Sequence, residues 1–123
     1  MHIYKLVDGV VINGELTKAL VIKNLSETES KDIGLLVDKQ YSVLESKNDF
    51  YVVNEKHGDS IKGLIYLNEH TAASIVQIGG TPVELTFFDI CEMKMTAQDW
   101  QIVLCASIAV EEYYHRTDGE MLA

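Results

Sequence analysis

Glu112 and His115 stand three residues apart in the segment AVEEYYHR, Ala109 to Arg116. On a helix that spacing brings a carboxylate and an imidazole to one face, the pairing that di-iron bundles draw from their helices. Such a centre needs further Glu and Glu-x-x-His motifs from neighbouring helices, and His2, His57 and His70 show no paired spacing. The same residues also suit a plain helix end. Glu111 with His115 and Glu112 with Arg116 are i, i+4 pairs of opposite sign, and cations in a last turn complement the helix dipole. No metal and no cofactor is therefore expected. A third reading makes Tyr113, Tyr114, His115 and Arg116, flanked by Glu112, a surface for a ligand or partner. Tyrosine and arginine combine large contact area with directional hydrogen bonds, and Arg116 is the only arginine in the chain.

Other chemistry leaves no mark. Gly79-Gly80 reads as a turn, without the spacing of a phosphate-binding loop, and no Gly-x-Ser-x-Gly elbow is present. Cys91 and Cys105 are too few for a disulfide framework and have no histidine nearby in sequence, so both are expected as buried free thiols. No catalytic residue is nominated, and a binding protein is expected before an enzyme.

The elements that must position these residues begin with a helix over 97–116. Thr96 can cap it and Asp99 is acidic in its first turn. Its middle, IVLCASIAV, is apolar all round, and a helix of that kind needs partners on every side. Ala106, Ser107 and Ala109 are small enough for a second helix to approach. A homodimer seam is one expectation, and packing between sheet and loops of the same chain is the other.

Upstream, strands are expected. HIYKLV and VVI are followed by Asp8-Gly9 and Asn13-Gly14, dipeptides that supply the positive φ of tight hairpin turns. KALVIKNL is β-rich. SETESKD reads as a loop, although Ser26 with Glu29 could cap one helical turn. GLLV, QYSVLE, FYVVN and IKGLIYLN, separated by SKND and EKHGDS, carry the Val, Ile and Tyr runs of antiparallel strands. Around Gly79-Gly80 a hairpin is expected over 73–94, with a helix starting near Thr81-Pro82-Val83-Glu84 as the alternative.

The stretch from Gly34 to Glu69 resembles the small Src-homology-3-like barrels of short bacterial and phage proteins, through Lys39-Gln40-Tyr41 and Asp49-Phe50-Tyr51. The resemblance implies a binding or adaptor scaffold and no active site. Trp100 lies outside the stretch, so recognition of proline-rich peptides is not implied. The expected fold is α+β in a single domain, residues 1–123: an antiparallel barrel or curled sheet over 1–68, an extra hairpin over 73–94, and one long C-terminal helix over 97–116.

Charge narrows the partners. Nineteen acids against ten bases give −9 over 123 residues, which disfavours direct nucleic-acid binding. From Thr81 onward eight acids face only Lys94 and Arg116, a net −6, which suits a basic protein surface. The N-terminus lacks a signal-peptide pattern, and the longest strongly apolar run, Ile102 to Val110, is far short of the roughly 20 residues that span a bilayer. A cytoplasmic protein without membrane contact is expected. The expected function is non-catalytic binding, as a homo-oligomer of phage or mobile-element type that occupies a host protein. Two alternatives stand beside it: an acidic inhibitor that mimics nucleic acid, and an oligomeric binder or enzyme for a nucleotide-like anion held at Arg116.

Overall fold

Asn13 and Gly14 both take positive φ, 52° and 81°, the conformation that matches a two-residue turn to the twist of its flanking strands. They fold β1 (His2–Ile12) back onto β2 (Glu15–Ile22). The chain then leaves the sheet for two helices, α1 (Glu27–Glu45) and α2 (Asn48–Ser74), and returns as β3 (Ile75–Ile78) and β4 (Thr81–Pro82). A short helix α3 (Phe87–Glu92) and a long one, α4 (Ala97–Leu122), complete it. The computed structural model describes residues 2–45 and 48–122, with side chains described for 2–44 and 61–114.

All four strands are antiparallel, in the order β1-β2-β3-β4, and the sheet is open. The chain divides into two compact units, Met1–Leu25 with Thr71–Ala123, and Ser26–His70. The first holds the main core. Leu6, Val10, Leu20, Ile22, Ile75 and Ile78 from the sheet pack with Ile90 of α3 and with Val103, Ala106 and Val110 of α4. Those α4 positions recur at three and four residues, one stripe of a helix. Thr86 caps α3 in a reciprocal box with Asp89.

The second unit overturns a sequence expectation. Residues 34–45 and 48–69, expected as antiparallel strands, lie on α1 and α2, so Tyr41 and the Asp49-Phe50-Tyr51 segment are helical and the sheet does not close over 1–68. Two sequence features account for this. Ser26 and Glu29 form a full capping box, Glu29 N–H to Ser26 Oγ at 3.1 Å and Ser26 N–H to Glu29 Oε1 at 3.0 Å, so the polar segment read as a loop starts a helix. Ile33, Leu36, Val37, Gln40, Tyr41 and Leu44 then recur at helical spacing; Ile33 and Val37 are buried, and the other four are half-buried. Lys62 of α2 reaches back to Asp38 of α1 at 2.6 Å and over the Tyr41 ring at 5.5 Å. The side chains of Asp49, Phe50, Tyr51 and His57 lie outside the described residues.

Two smaller expectations also change. The hairpin over 73–94 exists only as β3 and β4 around Gly79-Gly80, and its second half is α3, because the Thr86 cap outweighs the β-branched and aromatic run. Asp8-Gly9 is not a hairpin turn. β1 continues past it through a register shift between Lys5 and Val10, with Gly9 at φ 84°. Helix α4 starts where expected and runs beyond 116 to Leu122.

Candidate functional site on the β1 flank of helix α4

Thr96 and Asp99 set the position of α4. Thr96 Oγ1 accepts from the Asp99 N–H at 3.2 Å, the ordinary N-cap bond. The Asp99 carboxylate, wholly buried, turns to the β1 bulge. Its Oδ1 accepts from the Val7 N–H at 2.7 Å, its Oδ2 accepts from the Gly9 N–H at 2.9 Å, and the Asp8 N–H lies 3.2 Å from both oxygens. Thr96 in turn donates its hydroxyl to Asp8 Oδ2 at 2.7 Å. Three consecutive amides thus form an anion nest around a side chain of the same protein.

From that anchor α4 runs antiparallel to β1 and passes beside His2 at Tyr113 and Tyr114. The His2 ring lies 5.3 Å from Tyr113 and 5.5 Å from Tyr114, and the two tyrosines meet edge to face at 5.4 Å. The lengths agree: about 15 helical residues and six or seven strand residues each cover roughly 22 Å.

Between the two ends the helix is only half covered. Val103, Ala106, Ser107 and Val110 are buried, while Cys105, Ile108 and Ala109 are exposed. One flank meets α3, where Trp100 packs on Phe87 with ring centres 5.3 Å apart. The opposite flank forms an open apolar groove of about 450 Å³, lined by Tyr4 of β1 and by Gln101, Ile102, Cys105, Ala106 and Ala109 of α4. No residue of this lining carries a formal charge at neutral pH. The expected burial of the cysteines is corrected here: both are exposed, Cys105 because the flank that carries it faces the groove.

Tyr113 is 50% and Tyr114 40% exposed, and Glu112 is exposed beside them. His115 and Arg116 continue α4 in its backbone, and their side chains lie outside the described residues. His2, Tyr4, Ile102 and Cys105 belong to the same flank and were not nominated from sequence. The only signal for the helical members was the apolar surround of IVLCASIAV. Nothing local in HIYKLV marks His2 or Tyr4.

Among the described residues no three His, Cys, Asp or Glu side chains are grouped as a metal site, and no helix is long and apolar enough to cross a membrane. Comparison with protein-family models, with curated proteins and with solved structures finds no match for this chain.

Proposed function

We propose that this protein is a non-catalytic protein-binding module whose docking surface is the β1 flank of α4, from the groove at Tyr4, Ile102, Cys105 and Ala109 to the aromatic end at Tyr113 and Tyr114. The groove carries this reading. Its size lies within the range of binding clefts, and its lining is apolar with few polar groups, at the place where the helix leaves apolar side chains uncovered. Exposed tyrosines at its end supply the rigid, amphipathic contact area that interfaces favour. His115 and Arg116 follow them on the helix, and Glu112 precedes them, completing the patch proposed for a partner such as a host protein.

Mimicry of nucleic acid draws less support from the same geometry. It requires a dense array of exposed carboxylates, whereas among the described acids of the C-terminal half Asp99 is buried in the β1 nest and Asp89 is tied into the Thr86 cap, which leaves Glu84, Glu92, Glu111 and Glu112 exposed.

Photo-crosslinking tests the proposal. A benzophenone amino acid placed at Ile102 or at Ala109 should give adducts of defined mass in the native cell, and the same group at exposed Leu35 of α1 should not. Adduct yield at Ile102 no higher than at Leu35 would overturn it.

A further inference from the structure

Both the β1 edge and the groove beside it lack a partner among the described residues. Gly79 donates its N–H to Ala19 C=O at 2.8 Å, and Lys23 donates to Ser74 C=O at 2.9 Å. Ala19, Val21 and Lys23 therefore bond toward β3, and Leu20 and Ile22 toward β1. Tyr4 lies opposite Leu20 and His2 opposite Ile22, so these two bond to β2. By the alternation of an antiparallel ladder, Ile3 and Lys5 aim their N–H and C=O groups outward. Val7 follows the same alternation, and its outward N–H is taken by Asp99. That contact ends the open stretch of edge that has Tyr4 at its middle.

Apolar surface flanks this edge on both sides. Toward α4 lies the groove that Tyr4 lines. On the other face Ile3, 61% exposed, sits opposite Val21, and a second, smaller groove is lined by these two with Ala19, Gln77, Gly79 and Gly80. An exposed edge with apolar faces is a template for another strand, and soluble proteins cover or block such edges. Here the Asp99 nest blocks one part and leaves the other.

We infer that the β1 edge and the α4 groove are the halves of one interface, occupied by a second copy of this chain through a two-fold axis at Tyr4; this rests on the docking surface proposed above. Antiparallel pairing about Tyr4 sets Ile3 of each copy against Lys5 of the other, the residues with outward amides. It sets no lysine opposite a lysine, a pairing that would be unfavourable. The same axis brings the two grooves together, and the small Cys105 and Ala109 let the two α4 helices approach. Charge favours self-pairing here over the rest of the surface: the chain carries −9, and the groove lining carries none. The arrangement closes on itself. Each copy uses the same β1 segment about one two-fold axis, so it gives a dimer and no fibre.

Sedimentation of the full-length chain, with a short bismaleimide cross-linker, tests this. A dimer is expected, cross-linked through Cys105: Cys91→Ser should keep the cross-linked band and Cys105→Ser should lose it. Ile3→Pro removes an outward N–H, and Ala109→Glu puts a carboxylate into the groove at an exposed position. Each should weaken self-association by about tenfold or more with the circular dichroism spectrum unchanged. Should Ile3→Pro disturb folding, Ala109→Glu decides alone. A monomer mass at all concentrations, a dimer linked through Cys91, or a dimer indifferent to Ala109→Glu would each overturn the inference. A monomer that still gives adducts to another protein at Ile102 would leave the docking surface standing and remove only the second copy as its occupant.

Discussion

The Gly9 N–H and Asp99 Oδ2 meet at 2.9 Å across 90 positions of sequence, and this contact joins the bulge of β1 to the first turn of α4. Because the carboxylate also holds the amides of Val7 and Asp8, it sets the height at which α4 crosses the sheet. The groove and the ring cluster further along the helix inherit that setting.

Asp99→Ala should lower stability by about 3 kcal/mol, since three partly buried amides lose a charged acceptor. Asp99→Asn should cost roughly half of that, because one side-chain oxygen still accepts. Chemical denaturation measures both, and equal losses would show that the charge does not matter.

Gly9→Ala should destabilise by about 2 kcal/mol or more. The backbone is at φ +84°, and an added Cβ would lie 2.7 Å from the Thr17 carbonyl oxygen. A melting temperature within a degree of the parent would contradict the bulge geometry.

His2→Ala and Tyr113→Ala should each change stability by less than about 1 kcal/mol, since Tyr113 is half exposed and edge-to-face contacts are worth little more. The same substitutions should sharply reduce the photo-adducts at Ala109. Loss of stability without loss of adducts would make the rings structural.

Replacing residues 26–70 by a short Gly-Ser linker should leave a cooperatively folding protein with a lower melting temperature. β2 and β3 are already paired, Ile22 opposite Ile75, and Lys23 bonds Ser74, so the ends to be joined are neighbours. Helical insertions at such a point cost mainly loop-closure entropy. Thermal melting followed by circular dichroism measures this, and a non-cooperative transition would show that the remaining unit depends on the insert.

Capping and turn chemistry were legible because they act over three or four residues. Asn13-Gly14 turns the first hairpin, Thr96 starts α4, and Ser26 with Glu29 carried a helix signal that the Val, Ile and Tyr content around it obscured. Over 34–69 the sequence fits strand and helix alike for a physical reason: β-branched and aromatic residues fill a helix face as readily as a strand when they recur every three or four positions, and only packing chooses between the two. Tyr113, Tyr114 and Glu112 could be nominated from spacing on one helix, whereas His2 and Tyr4 joined them only through the fold.

The amino-acid sequence by itself determined that the chain is acidic, that it mixes helices with an antiparallel sheet, and that the helix over 97–116 has more apolar surface than a small sheet covers. Those properties reside in composition and in spacings within a turn or two. Tertiary structure alone decided that Asp99 faces the β1 amides and that one flank of α4 forms an open groove with Tyr4 of β1. Each of these joins groups about 90 residues apart, and no local preference encodes which backbone amides a carboxylate will find once the chain has closed around it.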